Sequence, residues 1–208
     1  MGHRVTLFDL TPEHIEWATL HAQQSGIQLT NAMVGDAMQM NMKDEQFDIA
    51  LLFGPLYHLT EKKERVKALS ETARVLKPGG IMLAAIISRY ASLIDGFKRN
   101  LVDDDRFFSI LTNDLQNGIH INKTENPEYF TTAFFHTISA IKEEVMEAGL
   151  QFKKLVAVES FAWIVDDFGK RLSDEKYMSK LNGIISQVES NEDLVAMSPH
   201  IIVVAEKK

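Results

Sequence analysis

Two aspartates follow short apolar runs, in positions from which a nucleoside can be recognised. Asp9 ends the run Arg4–Phe8, and Asp36 lies just after the run Ile27–Val34. In doubly wound parallel sheets, nucleotides bind outside the carboxyl ends of the strands. An ionised carboxylate only accepts hydrogen bonds, so Asp9 suits a ribose diol and Asp36 suits an adenine amino group. Each aspartate can equally cap the helix that follows it, and the sequence leaves both interpretations open.

A second set of reactive side chains follows another apolar run. Ile49–Phe53 is typical of a strand buried on both faces, and Gly54-Pro55 ends it. Tyr57 and His58 would then lie at the edge of a cleft, where a histidine can act as a base near neutral pH. A histidine there can instead hold a cofactor or a loop.

These sites need a parallel sheet to position them. From Thr60 to Leu76 apolar residues recur at helical spacing, and Pro78-Gly79-Gly80 separates them from the apolar run Ile81–Ile87. This order predicts a strand, a helix and a second strand, which is the unit of a parallel sheet. Near the amino terminus, Pro12 and Gly26 similarly mark the ends of a predicted helix.

The segments Phe53–Leu59, Glu71–Arg74 and Val75–Gly80, together with Gly35-Asp36-Ala37, resemble class I S-adenosylmethionine-dependent methyltransferases. The likeness is closest to the small-molecule branch that includes the quinone-biosynthesis methyltransferases. It implies an α/β fold with a Rossmann-like, doubly wound, mostly parallel sheet, helices on both faces and an antiparallel last strand. The length of 208 residues suits one domain over residues 1–208, with a helical lid insertion expected at about 88–133.

The resemblance assigns S-adenosyl-L-methionine as the cofactor and gives each site residue an expected role. Asp9 would bind the ribose, Asp36 and Ala37 would read the adenine edge, and Leu10 and Met38 would pack on the adenine faces. Leu10 and Met38 can equally be ordinary core residues. The cofactor site would continue to two further residues after the predicted strand, namely Phe53 and Gly54. The candidates for the catalytic base are Tyr57 and His58.

One motif of the family is absent from this sequence. Its glycine-rich turn should precede the ribose-binding acid by roughly 20 residues, but only eight residues precede Asp9. The domain is therefore expected to be incomplete at its amino terminus, with the sheet open between the strands that end at Asp9 and Phe53. Weak cofactor binding would follow. Self-association through the incomplete sheet is a further expectation, and a rearranged sheet is an alternative.

The segment Ser88–Thr132 has an irregular pattern with several aromatic residues, which is typical of lids over strand-end clefts. Its aromatic residues can line an acceptor pocket or simply hold the insertion onto the core. His136, just beyond it, can face a pocket or have a capping or core role.

Composition favours small-molecule chemistry. A formal charge of −7 gives no general basic surface, so no nucleic-acid partner is expected. There is no cysteine, the histidines show no metal-ligand spacing, and no apolar run approaches the roughly 20 residues of a membrane helix. These features predict a cytoplasmic protein without a metal site or membrane span. Its partner would be a small-molecule acceptor, and its oligomeric state is open.

The sequence thus predicts a methyltransferase that uses S-adenosylmethionine on a small or medium organic acceptor and is impaired by the missing glycine-rich loop. One alternative is a non-catalytic relative that binds a nucleoside or a partner protein. Another is an NAD-dependent dehydrogenase, since Asp9 would suit a nicotinamide ribose equally well.

Overall fold

The computed structural model describes residues 2–208 as an α/β structure. The strands are β1 (Thr6–Asp9), β2 (Asn31–Val34), β3 (Phe47–Leu52), β4 (Leu76–Ser88), β5 (Ile119–His120), β6 (Ala133–His136), β7 (Leu150–Ala157) and β8 (His200–Lys207). The α-helices are α1 (Pro12–Gln24), α2 (Pro55–His58), α3 (Lys62–Val75), α4 (Ala91–Lys98), α5 (Asp105–Asn117), α6 (Ile138–Glu147), α7 (Phe168–Arg171) and α8 (Glu175–Val188).

The strands form two separate sheets. β1 and β2 make a parallel pair, while the other six strands form a mixed sheet in which β3 and β6 run parallel to β4. The last strand, β8, pairs antiparallel with both β4 and β7, as predicted. Among the described residues, no strand joins β1 to β3, so the sheet is open at the expected place.

The first helix has the predicted ends. Thr11 is the N-cap residue and Pro12 the first helical residue, whereas Gly26 has a positive φ of 67° after the carboxyl end. The N–H of Ile27 donates to the carbonyl of Ala22 at 2.8 Å, which closes the helix end. This turn uses residues that were predicted to be extended, so β2 begins only at Asn31 rather than at Ile27.

The junction after α3 is tighter than predicted. β4 begins at Leu76, directly after the helix, and includes Pro78-Gly79-Gly80 before the predicted strand. Gly79 has a φ of 75°, and a Cβ on Gly80 would lie 2.8 Å from the carbonyl oxygen of Lys77. These two positions require glycine for different reasons, one for its backbone angle and one for space.

The core lies on one face of the larger sheet. Met82, Ala84 and Ile86 alternate along β4 and are fully buried together with Leu69 of α3 and Ile141 of α6. Burial on this face explains why Ile81, Leu83 and Ala85, which alternate with these residues along β4, are only partly buried.

The prediction that β3 is buried on both faces is wrong. Leu52 belongs to the core, but Ile49 and Leu51 are 57% and 64% exposed. Within residues 2–208 no strand pairs with the outer edge of β3. An apolar strand is thus left with a free edge and an uncovered face.

The predicted insertion is more regular than its sequence pattern suggested. It contains α4, α5, β5 and two single-turn helices at Leu101–Asp103 and Pro127–Tyr129. Its aromatic and aliphatic residues form a small core separate from the main one, made by Phe107, Ile110, Leu111 and Tyr129. The segment is partly helical, and those residues hold it together. No helix in the described part of the chain is long and apolar enough to cross a membrane.

Candidate functional site

The carboxyl ends of β1 and β2 bring the two predicted aspartates to neighbouring strand ends. Asp9 pairs in register with Val34, and the N–H of Gly35 donates to the carbonyl of Asp9 at 2.9 Å. A Cβ on Gly35 would lie 2.5 Å from the ring of Phe8, so only glycine fits here without a shift. Asp36 follows immediately.

The Asp9 carboxylate is held by the start of α1. Its Oδ1 accepts from the N–H of Thr11 at 2.8 Å and lies 3.2 Å from Nδ1 of His14. The Thr11 hydrogen bond, which outweighs partial burial, keeps the pKa of Asp9 below its ordinary value, so the group is ionised at neutral pH. The aspartate therefore fixes the entry to α1, and within the described residues its Oδ2 has no hydrogen-bond partner.

Asp36 has a similar local role. Its Oδ1 accepts from the N–H of Met38 at 2.8 Å, and Ala37 packs against the main core. Met38 is half-buried, but Leu10 is 69% exposed, so a core role for Leu10 is wrong. Each aspartate thus accepts a backbone N–H of the following turn with one carboxylate oxygen. The apolar residues beside them, Leu10 and Met38, are exposed and half-buried respectively.

Phe53 and Gly54 lie at the carboxyl end of β3, on the larger sheet. Gly54 has a φ of 132°, which favours glycine, and it begins the segment Gly54–Thr60 that contains α2, here called the rim segment. In this segment the rings of Tyr57 and His58 lie 4.8 Å apart. Tyr57 packs beside Ile87 and Phe135, while the His58 side chain is exposed. Neither side chain forms a hydrogen bond to another described residue.

Two charged residues of α3, Glu71 and Arg74, hold the loop that follows Asp36. The sequence did not reveal this role. The Oε2 of Glu71 accepts from the N–H of Met40 at 2.8 Å, and Arg74 donates to the carbonyls of Met40 and Met42 at 2.8 and 2.7 Å. Arg74 also holds Glu71 and, above all, lowers its carboxyl pKa. The loop after Asp36 is thereby tied to the larger sheet. A Glu-Arg pair three residues apart on a helix was the available signal.

A second unpredicted cluster lies beneath the rim segment. Arg65 and Glu144 form a fully buried ion pair between α3 and α6, with Nη2 of Arg65 2.7 Å from Oε1 of Glu144. His136 at the end of β6 is also buried, and its Nε2 lies 3.2 Å from Oε2 of Glu144. Of the roles left open for His136, the structure supports the core role.

The insertion has its own buried polar network. The Oδ2 of Asp114 accepts from Oγ of Ser92 at 2.7 Å and faces Nδ1 of His120 at 2.8 Å. The other ring nitrogen of His120 lies 2.7 Å from the carbonyl of Tyr129. In a nucleophile triad the serine is hydrogen-bonded to the histidine, whereas here Ser92 is hydrogen-bonded to Asp114. The cluster is therefore not such a triad, and its role is to link α4, α5 and β5.

The hydrogen-bond acceptors at these strand ends fit the adenosine half of S-adenosylmethionine. Asp9 lines a cleft of about 290 Å³ together with Leu7, His14, Trp17 and Ala18. Free carboxylate oxygens at two adjacent strand ends match ribose hydroxyls and an amino group. For the methionine half, residues 2–208 offer no glycine-rich turn beside these aspartates. In the same residues no group of three or more acidic or histidine side chains is arranged to hold a metal ion.

Residues 1–84 match the family described as methyltransferase domain. The chain is 40% identical over 52 residues to a probable tRNA methyltransferase 9B of Homo sapiens, which covers 25% of this chain and 12% of that protein. It is 32% identical over 90 residues to a ubiquinone biosynthesis O-methyltransferase of Maricaulis maris, covering 43% of this chain and 34% of that protein. The matches thus span an eighth to a third of these relatives.

A solved structure of an S-adenosylmethionine-dependent methyltransferase from Methanosarcina mazei aligns with a TM-score of 0.62 and 19% identity. The alignment covers 99% of this chain and 82% of that one. At this identity the likeness concerns the fold. Residues 1–84 therefore match the methyltransferase domain family, and the chain as a whole shares the fold of solved S-adenosylmethionine-dependent methyltransferases.

Proposed function

We propose that this chain transfers a methyl group from S-adenosylmethionine to a small or medium organic acceptor. The observation that carries the proposal is the pair of carboxylates, Asp9 and Asp36, at the adjacent ends of β1 and β2. Both lie within the segment that matches the methyltransferase domain family. In parallel sheets this is the position at which nucleosides are held.

In this proposal the chain's own residues bind and orient. Asp9 accepts from the ribose hydroxyls, while Asp36 accepts from the adenine amino group and Ala37 lies at the same edge of the ring. Leu10 and Met38 contact its faces, and Phe53 and Gly54 border the reacting end. S-adenosylmethionine itself supplies an activated methyl group, so the remaining task is to align the acceptor and, for a hydroxyl, to remove its proton.

In this proposal the proton acceptor belongs to the rim segment. His58 is exposed and without a hydrogen-bond partner among the described residues, so its ring nitrogens are available to an acceptor molecule. Tyr57 is half-buried and packs on the core side, which suits contact with the acceptor's apolar part. We therefore assign the base to His58 ahead of Tyr57.

The net charge of −7 favours an organic acceptor over a nucleic acid, because phosphate contacts need clustered lysine and arginine. The similar proteins are named for tRNA and for ubiquinone biosynthesis, so both classes belong in the test. Transfer of labelled methyl groups to phenolic compounds but not to bulk tRNA would support a small acceptor. Transfer to tRNA alone would contradict it.

The binding test uses calorimetry with S-adenosylhomocysteine. The parent should bind, and Asp36→Asn should bind more weakly because an amide cannot replace a full carboxylate acceptor. Asp48→Asn is the matched control, because Asp48 is an exposed carboxylate at the opposite end of β3. Absence of binding by the parent at millimolar ligand would instead favour a non-catalytic relative. For that alternative the specific observation is the lack of a glycine-rich turn in residues 2–208.

The NAD-dependent alternative has its own readout. Trp17 lines the same cleft as Asp9, so a nucleoside held there should change the fluorescence of Trp17. Stronger quenching by NAD than by S-adenosylhomocysteine, lost in Trp17→Phe, would replace the methyltransferase proposal with a dehydrogenase.

A further inference from the structure

The buried guanidinium of Arg65 holds the carboxyl end of the rim segment by hydrogen bonds. Nη1 of Arg65 donates to two successive backbone carbonyls, those of Leu59 at 3.0 Å and Thr60 at 2.8 Å. These carbonyls directly follow α2, which carries Tyr57 and His58. Arg65 itself is 2% exposed, so water does not compete for these bonds.

Two other elements, α6 and β6, hold the guanidinium in place. Nε and Nη2 of Arg65 donate to both carboxylate oxygens of Glu144, at distances from 2.7 to 3.1 Å. The ring of Phe134 lies 3.5 Å from Cζ of Arg65. A planar guanidinium that binds a carboxylate on one edge and two carbonyls on another has little freedom left.

His136 completes the cluster. Burial outweighs the nearby Glu144 carboxylate and lowers the pKa of His136, so its ring is neutral near pH 7. A neutral ring that faces a carboxylate through Nε2 carries its proton there, and it therefore donates to Glu144. The carboxylate is thus fixed from α3 by Arg65 and from β6 by His136.

Stability alone is a weak explanation for this ion pair. Replacing buried ion pairs by apolar side chains often leaves stability unchanged, because both charges must be stripped of water. A short helix such as α2, with four residues, also has few internal hydrogen bonds to fix its own direction. The cluster of Arg65, Glu144 and His136 fixes the direction of α2 through contacts from other elements.

We infer that Arg65, oriented by Glu144 and His136, is a positioning residue that fixes Tyr57 and His58 for the acceptor. The inference rests on the proposed function for the identity of what they meet. The placement of the two side chains is a separate property and can be measured without any substrate.

The test measures amide exchange in α2. The N–H groups of Tyr57, His58 and Leu59 are hydrogen-bonded to Gly54 and Pro55, so they report opening of the rim segment. In Arg65→Lys these amides should exchange about tenfold faster, because an ammonium cannot serve a carboxylate and two carbonyls in one plane. Lys62→Ala is the matched control, since Lys62 makes an exposed ion pair between the same two helices, with Glu147 at 2.9 Å.

A second variant separates a local effect on α2 from a general loss of folding. Arg65→Met/Glu144→Leu removes both charges and should keep the thermal midpoint near that of the parent. It should still show fast exchange in α2 and loss of the ring-to-ring nuclear Overhauser effect between Tyr57 and His58, whose rings are 4.8 Å apart in the parent. A merely structural ion pair would leave these local signals unchanged once the fold is retained.

Exchange rates in α2 that match those of Lys62→Ala, in both Arg65→Lys and the double variant, would overturn the positioning role. Binding of S-adenosylhomocysteine is scored separately. A parent chain that fails to bind it overturns the proposed function, whereas faster exchange in α2 still supports the positioning of Tyr57 and His58 by Arg65.

Discussion

Arg74 donates from Nη2 to the backbone carbonyl of Met40 at 2.8 Å, across the junction between the two sheets. Its Nη1 reaches the carbonyl of Met42 at 2.7 Å and Asp44 at the same distance. Glu71, held by the same arginine, accepts from the N–H of Met40. The loop that carries Asp36 and Met38 therefore takes its position from one turn of α3.

Substitution of Arg74 should loosen this junction. Arg74→Lys keeps the charge but loses most of the five hydrogen bonds, and we expect a loss of about 1.5–3 kcal/mol in the free energy of unfolding. Binding of S-adenosylhomocysteine should weaken as well. Urea unfolding measures the first effect. Arg106→Lys is the control, because Arg106 also binds a carboxylate but is 66% exposed. Equal losses in both variants would contradict a role for the junction.

Asp9→Ala should weaken binding of S-adenosylmethionine by roughly 1.5–3 kcal/mol, because a charge-assisted hydrogen bond to the ribose is lost. The cost in stability should be smaller, about 0.5–1 kcal/mol, since Asp9 also accepts from the N–H of Thr11 at the start of α1. Calorimetry and urea unfolding of the same sample separate the two. Unchanged affinity with reduced stability would leave Asp9 as a turn residue alone.

Local signals in the sequence predicted much of the fold. Pro12 and Gly26 delimit α1 as predicted, because each acts on its own neighbours. Apolar periodicity likewise located β3 and α3. The adjacent strand ends at Asp9 and Asp36 were predictable because parallel strands share one direction.

Other features depend on partners far along the chain. Arg65 and Glu144 are 79 residues apart, and no pattern local to either residue predicts that they form a buried pair. The exposure of Ile49 and Leu51 depends on what lies beside β3, which an apolar run does not specify. The network of Asp114 and His120 could not be inferred from composition, since either residue alone is common on a surface.

The insertion is expected to move as a unit, and Asp114 should control its order. Asp114→Asn removes the charge that faces His120, so we expect amide exchange in residues 105–120 to rise roughly tenfold, which corresponds to about 1.4 kcal/mol. Exchange in β3 should stay unchanged.

Addition of S-adenosylhomocysteine to the parent should slow exchange over residues 88–132. If these residues already exchange as slowly as Ile49–Leu52 without ligand, the lid role is excluded.

A pH optimum is expected from the contact between the end of β7 and the start of β8. Burial alone would raise the pKa of Glu159, but hydrogen bonds from the side chain and N–H of His200 and from Ser198 lower it to about 2. The Nδ1 of His200 lies 2.5 Å from Glu159, and this contact raises the pKa of His200.

The two shifts act in opposite pH ranges. The lowered pKa of Glu159 stabilises the fold above its ordinary value of 4.5, and this contribution is lost as the pH falls toward 2. The raised pKa of His200 stabilises the fold below 6.5, and this contribution is lost as the pH rises through the folded-state value. Glu159→Gln should therefore cost most near pH 5.5, about 0.5–1 kcal/mol for such a half-exposed pair. Thermal unfolding from pH 3 to 9, with Lys142→Ala as the control, checks this, and a cost independent of pH would contradict it.

The open side of β3 leads to the last prediction. Ile49 and Leu51 are exposed on a strand whose outer edge lacks a partner in residues 2–208, and such an edge is a template for pairing with another chain. We therefore expect the chain to self-associate as its concentration rises.

Leu51→Lys should keep it monomeric in sedimentation equilibrium, because a charge on an exposed strand opposes edge pairing. Ile184→Lys changes a residue of α8 that is 58% exposed and should leave self-association intact. If the parent stays monomeric, or if both variants reduce association equally, pairing through β3 is excluded.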